Sequence, residues 1–109
     1  MSRDVISEIR EEVKANKIIL YMKGTPDLPR CGFSNAIVEI LKQIGQPFHG
    51  VDVLSDQEKW SAVKTFSSWQ TIPQLYINGE FIGGCDIARE MHAKGELKSK
   101  IEAAPSKTD

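Results

Sequence analysis

The chain has 109 residues, enough for one domain around one hydrophobic core and too few for two. Its 14 basic and 15 acidic residues leave a net charge of -1, so it lacks the basic surplus with which nucleic-acid binders hold phosphates. Hydrophobic residues at 40% and charged residues at 27% suit a folded globular chain, and no apolar run approaches the ~20 residues of a membrane span.

The N-terminal stretch MSRDVISEIREEVKANK shows neither a signal-peptide core nor the Arg- and Ser-rich pattern of a transit peptide. Val5, Ile6, Ile9 and Val13 recur there at helical spacing, predicting an amphipathic helix over 4–15. KIILYM is a compact, partly β-branched apolar run and predicts a buried strand. After the loop GTPDLP, Ile37, Val38, Leu41 and Ile44 mark a second helix that Gly45 should stop. FHGVDV predicts another strand. Ser55 to Glu58, SDQE, has the spacing of a capping box for a helix through Trp60, Val63 and Phe66. PQLYI and EFIGG flank Asn78-Gly79, the pair that favours a type I′ turn, so a β-hairpin is expected. Asp86 is the expected N-cap of a helix over DIAREMHAK, closed by Gly95, and ELKSKIEAA makes a last helix.

The order is helix, β-α-β, helix, β-hairpin, helix, helix. A right-handed crossover should make the first two strands parallel, and the hairpin adds antiparallel ones. This predicts an α/β, thioredoxin-like architecture, a mixed sheet of about four strands flanked by helices. Residues 1–104 are expected to form that single domain, with PSKTD at 105–109 as a polar tail.

Two cysteines, Cys31 and Cys85, are too few for a disulfide-stapled secreted scaffold or a four-sulfur zinc site, which points to a reducing compartment. Cys31 falls in KGTPDLPRCGFS, residues 23–34, just ahead of the second helix. Unsatisfied N–H groups and the helix dipole favour an anion there and lower a thiol toward its thiolate, the form that attacks disulfides and binds metals. The plainer reading, a small buried hydrophobe, fits poorly with its neighbours Pro29, Arg30 and Gly32. Three residues on, where a dithiol enzyme carries its second sulfur, stands Ser34. Fast intramolecular resolution by a nearby thiol is therefore missing, and the spacing of Cys85 leaves open whether it can substitute.

KGTPDLPRCGFS, TIPQLYINGEF and GGCD, in this order, resemble the CGFS-type monothiol glutaredoxins over nearly the whole chain. The resemblance implies a glutaredoxin fold that binds glutathione. Lys23 is similar to the family's lysine that attracts the glutathione carboxylate and the active-site sulfur. Ile72-Pro73 is similar to its cis-proline segment, where the residue before proline offers backbone hydrogen bonds to the ligand. Cys85-Asp86 is similar to the γ-glutamyl site, and Phe33, beside the thiol, is grouped with the ligand contacts although it reads equally as a rim aromatic, as do Trp69 and Tyr76. The chain departs from the pattern at Trp60, which occupies a usual basic position. Lys64, one turn on, matches a second basic position and is the expected carboxylate partner, with Lys59 adjacent. Trp69-Gln70-Thr71 replaces the common Trp-Pro-Thr, with little consequence expected.

Four thiolates hold a [2Fe–2S] cluster, and this chain presents one. The resemblance implies that two chains and two glutathione molecules supply the set, with Cys31 as the metal ligand of each subunit. The protein would then carry clusters between proteins and serve iron homeostasis. Its partners would be a second copy, a BolA-type protein and recipient apo iron–sulfur proteins, with no nucleic acid and no membrane. The alternative is an enzyme, a glutathione-dependent thiol–disulfide oxidoreductase that removes glutathione from proteins with Cys31 as nucleophile. A binding module without redox chemistry is disfavoured by the setting of Cys31. The expected compartment is the cytoplasm, or the mitochondrial matrix if a leader has been removed. Lys23 alone would read as a solvated strand end, Gly83-Gly84 as a turn or an anion-binding nest, His49 and His92 as surface or packing residues, and Met91 as core.

Overall fold

The computed structural model describes residues 3–105, so residues 106–109 of the expected polar tail lie outside the described residues. In chain order the elements are α1 (Val5–Ala15), β1 (Ile18–Met22), α2 (Gly32–Ile44), β2 (His49–Asp52), α3 (Gln57–Ser67), β3 (Gln74–Ile77), β4 (Glu80–Gly83), α4 (Cys85–Ala93) and α5 (Glu96–Ala103). A single 3-10 turn, Val53–Ser55, joins β2 to α3.

The four strands form one mixed sheet in the order β2-β1-β3-β4. β1 runs parallel to β2 and antiparallel to β3, and β3 and β4 form the expected hairpin. Asn78 and Gly79 both take positive φ, 51° and 80°, as a type I′ turn requires.

All five residues of β1 are buried, and their alternation divides the core in two. Ile18, Leu20 and Met22 point to one face, with Leu75, Ile77 and the apolar sides of α2, α4 and α5. Ile19 and Tyr21 point to the other, with Ile9 and Val13 of α1, Val63 of α3, Ile72 and Tyr76. A strand covered on both faces must read as an unbroken apolar run, which is why KIILYM lacks a polar alternation. Each fully buried Leu or Ile stabilises this arrangement by about 1.5–3 kcal/mol.

Helix boundaries correct two sequence expectations. Asp56, not Ser55, caps α3, its carboxylate accepting from the Lys59 N–H at 3.1 Å, because Ser55 is still part of the 3-10 turn. α4 begins at Cys85 with Gly84 as N-cap, so Asp86 lies inside the first turn, where its negative charge still suits the helix dipole. Gly45 ends α2 in the left-handed conformation as expected. Val53 leaves the strand that FHGVDV predicted, and Pro73, without an N–H for the ladder, precedes β3.

α1 and α3 are tied by charge. The Lys59 ammonium is buried and donates to Glu12 at 2.6 Å, and the Tyr21 hydroxyl donates to the same carboxylate at 2.7 Å. Arg3 bridges Glu8 and Asp56. Lys59 is thereby committed to the frame.

Gly24 and Gly45 both adopt positive φ, +89° and +84°, in different surroundings. A Cβ at Gly24 would lie 2.5 Å from the Leu28 carbonyl oxygen and 2.7 Å from the Arg30 nitrogen, whereas at Gly45 it would meet nothing within 4 Å. Gly45→Ala is therefore expected to cost about 1–2 kcal/mol, from backbone strain alone. Gly24→Ala should cost about 3 kcal/mol or more, because the clash is with backbone. Urea denaturation of the two variants side by side checks the difference.

Candidate functional site

Antiparallel pairing brings three chain segments to one end of the sheet. Tyr21 pairs with Gln74 and Leu75 with Gly83, so the exit of β1, the entry of β3 and the exit of β4 lie together. The loop leaving β1 folds back on itself: Arg30 N–H donates to the Lys23 carbonyl at 2.9 Å, and Thr25 and Leu28 exchange hydrogen bonds at 3.2 and 3.0 Å. Asp52 at the end of β2 accepts from the Gly24 N–H at 3.0 Å. This closed loop delivers Cys31 as the N-cap of α2 in extended conformation, φ -149° and ψ 136°.

The Cys31 thiol is partly exposed and held below its ordinary pKa. The Ser34 backbone N–H contributes most, followed, after an opposing effect of burial, by the Phe33 N–H, the Lys23 ammonium and the Ser34 hydroxyl. None of these contacts is a hydrogen bond in the strict geometric sense, since no side-chain bond caps α2. The sulfur instead sits in the converging field of the free amides, which suffices to favour its anion. Ser34, in the place of a second sulfur, is fully buried, and its hydroxyl accepts from the Lys23 N–H at 3.1 Å. That bond ties α2 to the end of β1 and so fixes the thiol relative to Lys23.

Cys85 behaves oppositely. It is buried at the start of α4, and burial pushes its thiol up, opposed by Arg89 and assisted by Asp86 and by Cys31. The fold thus brings the second cysteine within electrostatic reach of the first, while both remain free thiols.

Beside Cys31 lies a cavity of about 490 Å³. Lys23, Phe33, Lys64, Ile72, Pro73, Cys85 and Asp86 all line it, so the structure gathers the predicted ligand residues from the loop after β1, α2, α3, the loop before β3 and α4. Cys31 is not itself among the lining residues, but it is within reach of two of them, the Phe33 N–H and the Lys23 charge. The Ile72-Pro73 bond is cis. Phe33 is 58% exposed, which makes it a rim residue rather than core.

Of the remaining lining, sequence reasoning weighed Trp60, Trp69 and Gly84 without assigning them as ligand contacts, and missed Gln70, Thr71 and Ile87. Trp60, Trp69, Gln70, Thr71, Gly84 and Ile87 also line the cavity. Gly84 leaves little room for a side chain there, since a Cβ would stand a tight 3.3 Å from the Pro73 oxygen and in ordinary contact, at 3.5 Å, with the Trp69 ring nitrogen. The loop holding Trp69 and Thr71 hangs from one buried amide: Gln74 Nε2 donates to the Trp69 carbonyl at 2.9 Å and the Thr71 carbonyl at 3.2 Å. The Tyr76 hydroxyl donates to Gln74 Oε1 at 3.1 Å. A glutamine in an otherwise apolar strand run was the available signal.

The Glutaredoxin family model matches residues 18–82. An uncharacterized ycf64-like monothiol glutaredoxin of Synechocystis sp. is 47% identical over 95% of this chain and 97% of its own length. This chain belongs to the monothiol glutaredoxins. The reduced apo form of poplar GrxS14 is 46% identical, covers 88% of each chain and superimposes with a TM-score of 0.78. The holo form of glutaredoxin C1 from Populus tremula x tremuloides is 25% identical, covering 96% of this chain and 95% of its own, with a TM-score of 0.84.

Gln74→Leu keeps the shape of a fully buried side chain, strands the Thr71 carbonyl and the Tyr76 hydroxyl, and leaves the Trp69 carbonyl only the long 3.4 Å bond from the Ser67 hydroxyl. It is expected to lower unfolding free energy by about 1–3 kcal/mol. Hydrogen exchange should show the loss of protection concentrated at 69–73, with β1 unaffected below the global limit.

Proposed function

We propose that this monothiol glutaredoxin binds glutathione in the cavity beside Cys31 and, as a pair of chains, carries a [2Fe–2S] cluster for transfer to apo iron–sulfur proteins. The observation that supports this most is one accessible thiol biased toward thiolate, with its would-be partner position filled by a buried serine. The donor set fits a shared cargo. Among the described residues no group of three or more His, Cys, Asp and Glu is placed to hold a metal, so one chain does not by itself offer a full donor set. Four thiolates are needed. Two copies of Cys31 and two glutathione thiolates complete the set, and ligands lent from outside the chain suit a cluster that must be handed on.

In this reading Lys23 and Lys64 attract the glycine carboxylate of glutathione, the Ile72 backbone pairs with its central residue, and Cys85-Asp86 with Pro73 and Phe33 bound the γ-glutamyl end and the rim. One domain over 1–104 carries the site. A BolA-type protein could take the place of the second copy, its side chain standing for one thiolate, as histidine does in Rieske centres. No helix of the described residues is long and apolar enough to cross a membrane. Two free cysteines are consistent with action in a reducing compartment, the cytoplasm or the mitochondrial matrix.

The partial exposure of the same thiol favours a second reading. Cys31 thiolate attacks the glutathionyl sulfur of a protein mixed disulfide, the protein leaves as thiolate, and a second glutathione thiolate then takes the glutathionyl group from Cys31 as oxidised glutathione. No resolving thiol is required. Anaerobic reconstitution with iron, sulfide and glutathione, followed by visible spectroscopy and size measurement, separates the two. A coloured dimer is expected, abolished by Cys31→Ser and largely kept by Cys85→Ser. A colourless monomer that rapidly reduces glutathione mixed disulfides would establish the second reading instead.

A further inference from the structure

The Trp60 ring carries two cations. Lys23 Nζ lies 5.3 Å from its centroid and Lys64 Nζ lies 4.6 Å from it, both within the range of a cation–π contact. Trp60 and Lys64 are one turn apart on α3 and so share a face, whereas Lys23 arrives from the end of β1. The indole is therefore the strut that joins a cation of the helix to a cation of the strand. Among the described residues neither ammonium forms a salt bridge, while Lys59, the neighbouring cation of α3, is paired with Glu12. Two like charges gathered at one neutral ring in a cavity wall repel each other, and an anion within reach of both relieves that repulsion.

We propose that Trp60 is a positioning residue, its ring pre-ordering Lys23 and Lys64 as a two-point seat for a terminal carboxylate of the thiol ligand. This rests on the glutathione reading above and assigns the selectivity of that seat. A lysine stem is long and loses much rotamer freedom when its charge is fixed, so ammonium groups already held at the ring make carboxylate binding less costly. The ring also removes water from one side of each ammonium without neutralising it, which strengthens the attraction to the incoming charge. A basic residue in the place of Trp60 would add a third cation but would remove the surface on which the other two rest.

The test is calorimetric titration with two probes, glutathione and its glycine monoethyl ester, which lacks the carboxylate. The wild-type protein should prefer glutathione. Trp60→Leu should weaken glutathione roughly 5- to 30-fold more than it weakens the ester, and Trp60→Phe, which keeps a ring, should recover most of that difference. Equal weakening of both probes, or no weakening, would overturn the positioning role while the glutathione reading stands. A wild-type protein that binds neither probe would overturn the glutathione reading and this inference with it. Proton spectra of the unsubstituted protein give a check free of folding defects. The ε-methylene protons of Lys23 and Lys64 should be shifted upfield by the ring, and resonances at ordinary solvent-exposed positions would overturn the proposal.

Discussion

The backbone N–H groups of Ser34 and Phe33, unsatisfied because they open α2, are the interaction on which the site depends. They make the sulfur at the N-cap more acidic than a free thiol, and Lys23 reinforces them across the loop. Their effect depends on position, and the fold spends several bonds on it. The Ser34 hydroxyl holds the Lys23 N–H, Asp52 holds the Gly24 N–H, and Arg30 returns to the Lys23 carbonyl. A serine in the place of a second cysteine is thus more than an absence. It removes one sulfur and uses the vacated polar position to lock the other one in place.

The sheet makes this economical. A central strand buried on both faces leaves its ends as the places where polar groups can act, and antiparallel pairing gathers β1, β3 and β4 at one of them. From there the two cysteines diverge in character. Cys31, partly exposed among amides and a lysine, favours the anion, while Cys85, buried at the head of α4, favours the neutral thiol. Two sulfurs in electrostatic reach of each other therefore differ in character, one biased toward thiolate and one part of the cavity wall.

Much of this was readable in the residues. Asn78-Gly79 specified the hairpin because few other pairs tolerate two positive φ values, and the unbroken KIILYM run specified a strand covered on both sides. The helix-opening position of Cys31 followed from the loop before it and the periodicity after it. What stayed hidden was set by contacts distant in sequence. Whether Ser55 or Asp56 capped α3 turned on a 3-10 turn that periodicity does not register. Gln74 looked like one more strand residue until its amide met the Trp69 and Thr71 carbonyls. Trp60 read as a departure from a basic pattern, and only the meeting of α3 with the end of β1 showed it between two lysines.

The central claim is that the start of α2 lowers the pKa of Cys31 and so favours its thiolate. Ultraviolet titration of the thiolate in the Cys85→Ser protein measures this directly, with Cys31→Ser as the blank. Because the amides and Lys23 favour the charged form, half-ionisation should fall clearly below the ordinary cysteine value of about 8.5, and Lys23→Gln should move it back upward. A midpoint at or above that value would contradict the account.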